Sequence, residues 1–346
     1  MKGDLKNLSG LIIGCGSIGE RHLYNLKNLG IENLCVFDSN KDKSLEISDK
    51  YSVKSFLDLD SALQSKPTFS VISTFPETHL KIANLCIKND SNVLIEKPIS
   101  SKIQGISNML NNAKTKKLKV AVGYNFRFDK GLNNLRNQIN NNIIGRPISI
   151  LIKFGYNIQF WRPGLNFKNH YILKEGGGII LDDSHEYDYL RWLLKDKIDS
   201  MFCQTSNRSK IKTKTESFAT MTLKSKTGIL ANINIDYLRP KYERGCYIIG
   251  EKGSLKWDYK MIKSSKKNYN QKANSKVTLQ ILSKPSKIIF ENQVKINDMY
   301  ILEIKDFIDS IVKDKEPHVN GFEGLETLKV GLAALKSSKT NRVVML

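Results

Sequence analysis

Apolar positions follow two different rhythms along the chain. Up to about residue 123, short unbroken apolar runs alternate with helix-like stretches. The runs are Leu11-Ile12-Ile13, Leu34-Cys35-Val36-Phe37, Phe69-Ser70-Val71-Ile72-Ser73, Asn92-Val93-Leu94-Ile95 and Val120-Ala121-Val122-Gly123. A helix from about Ser17 gathers Ile18, Leu23 and Leu26 on one side, and another is expected over His79–Lys88. Runs that are apolar throughout, rather than alternating, belong to strands covered on both faces, hence to a parallel sheet. Strand and helix in alternation then make βαβ units and a doubly wound fold.

After about Tyr124 the period becomes two. Ile148, Ile150, Ile152, Phe154, Tyr156 and Ile158 alternate with Ser149, Lys153 and Asn157, and Ile229 through Tyr237 repeat the pattern. Such strands bury one face, so this part is expected to be α+β with an open, mostly antiparallel sheet. Helices are expected over Asp183–Lys195, Met299–Ile311 and Leu325–Lys336. The chain thus divides into a doubly wound α/β domain, residues 1–123, and an α+β domain, residues 124–346.

No run of about 18 apolar residues indicates a membrane span. The first apolar run, Leu11-Ile12-Ile13, is too short for a secretory signal, so a cytoplasmic protein is expected. Five cysteines lack metal-ligand spacing and the five histidines do not pair, so no metal site is expected. A net charge of +21 raises nucleic acid as a partner. The lysines are spread over the whole chain, however, and no nucleic-acid-binding motif accompanies the densest stretch, Lys252–Lys295. That stretch reads as a solvated basic loop or hairpin, and nucleic acid is disfavoured.

Gly14-Cys15-Gly16-Ser17-Ile18-Gly19 is G-x-G-x-x-G between a strand and a helix. The glycines allow the tight turn, close approach to a pyrophosphate and close helix–strand packing, while the helix start offers N–H groups to the phosphates. Asp38 ends the next strand, where a carboxylate accepts both ribose hydroxyls and repels a 2′-phosphate. NAD is therefore favoured over NADP, with Lys41 and Lys43 keeping NADP open.

Two further groups carry chemistry. Glu96-Lys97-Pro98 follows a strand at the carboxyl edge of the sheet, where open sheets bind ligands. Gly176-Gly177-Gly178 leads into Asp182-Asp183-Ser184-His185-Glu186-Tyr187-Asp188. His185 and Asp188 share a helix face and Asp182 lies a turn earlier; carboxylates flanking an imidazole fix its tautomer and suit it to proton transfer. The same spacing also fits a helix start capped by Asp183 or Ser184, with His185 structural.

Together these residues resemble the Gfo/Idh/MocA (glucose-fructose oxidoreductase / inositol dehydrogenase) family. The resemblance spans Gly14–His22, Thr74-Phe75-Pro76-Glu77-Thr78-His79, Glu96-Lys97-Pro98, Gly123-Tyr124-Asn125-Phe126-Arg127-Phe128, Gly250–Leu255 and the end from Asp306 to Val344. It implies hydride transfer between a nicotinamide and a secondary alcohol or ketone of a sugar, sugar nucleotide or sugar acid. It also implies that residues 1–123 are an NAD-binding Rossmann domain and residues 124–346 a substrate-binding and oligomerisation domain, assembled into homodimers or homotetramers. Cofactor contacts would come from Gly14, Gly16, Ser17, Ile18, Gly19, Asp38, Thr74, His79, Glu96 and Lys97. The catalytic group would be Lys97 and His185, with Asp182 or Asp188 orienting the imidazole. The aspartate preceding His185 is one residue closer than the family spacing. Tyr124, Asn125, Arg127, Trp161 and Arg162 are substrate-pocket candidates, the arginines suited to a carboxylate or phosphate. Trp161-Arg162-Pro163 and Leu190-Arg191-Trp192-Leu193 resemble a subgroup from bacterial surface-glycan and nonulosonate pathways. An NAD-binding sensor or scaffold without turnover is the alternative reading.

Overall fold

The first half of the chain builds β1 (Ser9–Ile13), α1 (Ser17–Asn28), β2 (Asn33–Phe37), α2 (Lys41–Tyr51), β3 (Lys54–Ser55) and α3 (Leu59–Gln64). It continues with β4 (Phe69–Ile72), α4 (Pro76–Lys88), β5 (Asn92–Ile95), α5 (Ile106–Thr115) and β6 (Val120–Val122). These come from a computed structural model that describes residues 5, 7–161, 177–208, 215–262 and 269–346. The strands run in the order β3-β2-β1-β4-β5-β6, all parallel. Each residue of β4 is buried, as a strand covered on both faces requires. Helix starts are set locally: the Asn40 side chain accepts from the Lys43 N–H, Asp58 accepts from Ser61, and Pro76 opens α4. Because β1 lies between β2 and β4, the connections leave it in opposite directions and open a crevice at the carboxyl ends of β1 and β4.

The remainder forms α6 (Lys130–Asn140), β7 (Pro147–Gly155), α7 (Ile158–Trp161), α8 (Ile179–Asp182), α9 (His185–Leu194), β8 (Ile198–Ser206), β9 (Phe218–Ser225) and β10 (Leu230–Asp236). Then come β11 (Glu243–Gly250), β12 (Gly253–Met261), β13 (Lys272–Ile281), β14 (Lys287–Lys295), α10 (Ile296–Val312), α11 (Gly321–Thr340) and β15 (Val344–Met345). Nine strands order as β14-β13-β12-β11-β7-β10-β9-β8-β15, antiparallel except for the β7–β10 pair. Ile150, Ile152 and Phe154 of β7 face a core that also holds Tyr189, Trp257 and Val277.

Three expectations are corrected. Tyr156 and Ile158 do not extend β7: the strand ends at Gly155, where an added Cβ would lie 2.6 Å from Arg239 Cδ, and Ile158 opens α7. The basic stretch Lys252–Lys295, read as a loop or hairpin, is hairpins rather than a loop: its described residues form the antiparallel neighbours β12, β13 and β14, with Ala273, Ser275 and Val277 buried and lysines on the other face. Period-two alternation was present there, thinned by serine and asparagine. The third concerns contiguity: the first break, at 125/126, falls beside the expected one, but neither unit is one continuous stretch. Two compact units comprise Met1–Asn125 with Tyr300–Leu328, and Phe126–Met299 with Lys329–Leu346. Residues 300–328 therefore return to the first unit, where Ile304, Phe307 and Ile308 join the core around Phe69. Local spacing reveals an amphipathic helix but not which core receives its apolar face. Among the described residues, no helix is long and apolar enough to cross a membrane.

Candidate active site

The glycine loop has the geometry its sequence required. Gly14 has φ of +95°, and a Cβ there would lie 2.8 Å from the Ser73 carbonyl oxygen. A Cβ on Gly19 would come within 1.8 Å of the Gly14 carbonyl oxygen, so α1 packs directly on the loop. Gly16 caps α1 without a side-chain hydrogen bond, and a Cβ added to it would meet only Lys43 Nζ, 3.8 Å away. The first N–H groups of Ser17, Ile18 and Gly19 thus open on space beside a cation, which fits a pyrophosphate. Asp38 is held in place: Cys15 N–H donates to Oδ2 at 2.7 Å and Asn40 N–H to Oδ1 at 2.8 Å. Each oxygen keeps a lone pair for a ribose hydroxyl. The residues present therefore fit a dinucleotide.

Lys97 stands beyond β5, and its peptide bond to Pro98 is cis. His79 is fully buried beside this turn, with Nδ1 2.9 Å from the Pro98 carbonyl and Nε2 3.1 Å from that of Thr74. Burial lowers its pKa, so the neutral ring donates through one nitrogen. His79, a side chain expected at the cofactor, thus packs between the carbonyls that follow β4 and β5 and, while neutral, donates to one of them. Thr74 Oγ1 lies 2.7 Å from Thr78 Oγ1. The Glu96 side chain is likewise committed inward: Oε1 accepts from His22 Nε2 at 2.7 Å, and Oε2 from the Lys97 N–H at 3.3 Å. Gly123 is needed opposite it, since a Cβ would lie 3.0 Å from Glu96 Oε2. Tyr124 and Asn125 are buried, and Asn125 Oδ1 has no hydrogen-bond partner among the described residues.

In the second unit His185 opens α9 after Ser184, and Phe126 packs edge-on to its ring at 5.1 Å. Asp188, one turn on, is gripped by Arg127: Nε donates to Oδ2 at 2.9 Å and Nη2 to Oδ1 at 2.7 Å. Both residues are almost fully buried, at 2% and 1% exposure. Arg127, expected to receive a substrate anion, thus spends this bidentate face on Asp188. Asp182 Oδ2 accepts from Tyr237 Oη at 3.1 Å. The Trp161 side chain and all of Arg162 lie outside the described residues.

Sequence reading missed a buried guanidinium. Arg244 lies 3.1 Å from Asp183 Oδ1 and 2.9 Å from Glu186 Oε1, between the rings of Phe126 and Phe154 at 4.1 and 3.8 Å. A signal existed: Arg244 shares strand parity with the buried Cys246 and Ile248, so the alternation points it inward. Burial, and Asp183 sharing the same arginine, push Glu186 up to about 8 against the pull of Arg244. Glu216 was missed as well. Its Oε1 accepts the Ile180 N–H at 3.1 Å and fills the space a Cβ on Gly178 would need, 2.2 Å away.

Residues 8–124 match the family described as Oxidoreductase family, NAD-binding Rossmann fold, and residues 136–346 its C-terminal alpha/beta domain. A myo-inositol 2-dehydrogenase of Thermotoga maritima is 25% identical over 97% of this chain and 97% of its own. A crystal structure of a probable dehydrogenase from Thermotoga maritima superposes with a TM-score of 0.80 at 24% identity, covering 98% of each chain. A Bordetella pertussis dehydrogenase in complex with NADH and UDP-GlcNAcA shares the fold, with a TM-score of 0.79 at 18% identity and 98% coverage of each chain. With loop, carboxylate and family match in agreement, the chain belongs to the Gfo/Idh/MocA family and is an NAD-dependent oxidoreductase acting on CH–OH groups.

Proposed function

We propose that this enzyme oxidises, reversibly, a ring secondary alcohol of a cyclitol or a pyranose sugar. The observation that carries this reading is the similarity to a myo-inositol 2-dehydrogenase along 97% of both chains. NAD, when bound, supplies the hydride acceptor. His185 takes the proton from the substrate hydroxyl as its C–H bond breaks, and Asp182 or Asp188 orients the imidazole. Lys97 Nζ donates a hydrogen bond to the reacting oxygen and stabilises the charge that gathers there. Asn125 Oδ1, a buried acceptor, suits a ring hydroxyl or an amide of the ligand. Arg127 contributes by fixing Asp188 and with it the start of α9. Trp161 and Arg162 stay candidates for the substrate pocket, and a surface-glycan role rests on the resemblance of Trp161-Arg162-Pro163 and Leu190-Arg191-Trp192-Leu193 to that subgroup.

The five cysteines are free thiols, and burial pushes Cys15, Cys86 and Cys203 up to about 12, which suits a reducing compartment such as the cytoplasm. Leu151, Leu230, Tyr247 and Ile249 neighbour one another on the open face of the nine-stranded sheet, with Leu151 48% and Leu230 50% exposed. This apolar face suits a second copy of the chain, and Leu151→Glu is expected to lower the mass seen in sedimentation.

The function is tested by following NADH formation with a panel of cyclitols, hexoses and sugar phosphates. Turnover is expected with a cyclitol or pyranose. Lys97→Ala and His185→Ala are each expected to lower kcat at least about 100-fold. Full turnover in both variants would remove the assigned roles. No turnover with any ring alcohol, despite NAD binding, would favour a sensor.

A further inference from the structure

Behind Lys97 the first unit buries a small acidic cluster that the reaction as described does not use. Glu303 of α10 is 4% exposed, and neither of its carboxyl oxygens has a hydrogen-bond partner among the described residues. One ligand-type atom each from His22, Glu96 and Glu303 lies within 4.8 Å of the others. Facing the cluster are Arg21 and His22 from α1, Glu96 and Lys97 beyond β5, and Tyr300 and Asp306 from α10. Arg21 stacks over the Tyr300 ring at 4.5 Å, and Asp306 accepts the His318 N–H at 2.6 Å.

Two carboxyl groups this close, one of them buried, do not readily both ionise. The hydrogen bonds decide between them. Glu96 receives His22 Nε2 at 2.7 Å and the Lys97 N–H at 3.3 Å, whereas Glu303 receives nothing. We propose that Glu303 is the neutral, proton-bearing member of a carboxyl pair with Glu96, and that the pair sets a single negative charge directly behind Lys97. Glu303 is then a positioning residue: by staying neutral it leaves Glu96 as the one anion that Lys97 feels. Electrostatics agrees in direction. Burial, with Glu96 and Asp306 beside it, pushes Glu303 well above the usual carboxylate range. The Glu96 side chain is 12% exposed, and His22 and Lys97 hold it below that range. The same three side chains carry donor types that bind cations. His22 Nε2 and Glu96 Oε1, 2.7 Å apart, are at hydrogen-bonding distance, so these two atoms already satisfy one another.

The experiment is infrared spectroscopy of the full-length NAD-bound enzyme at pH 7, with pH profiles of kcat/KM. The difference between wild type and Glu303→Gln should show loss of one protonated-carboxyl C=O band. Glu303→Met, an apolar replacement of similar size, should lose the same band and covers the case in which the glutamine variant fails to fold. The band arm does not depend on turnover. The pH arm rests on the dehydrogenase reading with Lys97 as a titrating catalytic group. There, Glu96→Gln should move the limb about 1 unit toward lower pH, and Glu303→Gln less than about 0.3 unit. The proposal fails if no band is lost in either Glu303 variant, or if Glu303→Gln moves the limb as far as Glu96→Gln. It also fails if elemental analysis finds a stoichiometric metal that Glu303→Gln releases.

Discussion

Buried acids are balanced differently in the two units. In the second unit, Asp188 is met by Arg127, while Asp183 and Glu186 share Arg244, whose guanidinium is sandwiched by aromatic rings. In the first, Glu96 has a histidine and a main-chain N–H, and Glu303 has no hydrogen-bonding partner among the described residues. An arginine stays charged wherever it is placed, so it favours the ionised form of the acid it grips, although burial still raises Glu186 to about 8 beside Arg244. A buried acid that receives no donor must keep its proton. The second unit therefore uses arginine–carboxyl pairs to hold α8 and α9 in place, and the first leaves Glu303 without a donor and so keeps one proton inside.

Three changes test that contrast. The largest effect is expected from Arg244→Met, which strands two buried carboxyl groups. It should cost about 3–5 kcal/mol in denaturant unfolding, or prevent folding altogether. A cost near zero would mean that Asp183 and Glu186 are already neutral. Next, Arg127→Leu alone should cost about 3–5 kcal/mol by leaving Asp188 unpaired, whereas Arg127→Leu with Asp188→Leu should recover most of that stability. If the double variant is as unstable as the single one, packing rather than charge holds this pair.

The smallest and sharpest test lies at Glu216, a buried acid of the second unit. Burial raises it from 4.5 to about 7. Below pH 4.5 both folded and unfolded states carry its proton. Between pH 4.5 and about 7 the unfolded chain releases the proton and the folded one holds it, so stability is lost as pH rises. The loss amounts to about 3 kcal/mol at most. Glu216→Gln should remove that part of the slope of unfolding free energy between pH 5 and pH 8. An unchanged slope would show that Glu216 ionises normally, and would weaken the rule that buried acids without a cationic partner keep their protons.

The cofactor half was the more legible part. Gly14, Gly16, Gly19 and Asp38 act through the backbone and nearest neighbours, so their roles follow from spacing along a strand, turn and helix. Lys97 was found by its place at a strand end. His79, Glu96 and Arg127 were picked out as important, but their partners were not foreseen: two carbonyls, a histidine and an aspartate. Arg244 was detectable only as a charged residue at an inward position of an alternating strand. Glu303 gave no local sign at all, because its meaning depends on which helix face meets Glu96.

The sequence by itself determined the period of each element, the parallel and antiparallel classes of the two sheets, and the nucleotide loop. These depend on interactions among neighbours a few residues apart and on the burial that periodicity demands. Only the tertiary structure decided that residues 300–328 complete the first unit, that β12 to β14 carry the basic stretch, and which buried acids receive a cation. Pairing a charge in the interior is a contact between residues far apart in sequence, 61 positions for Arg127 with Asp188 and 74 for His22 with Glu96. Its sign and strength depend on distance and desolvation, which no single stretch of sequence contains.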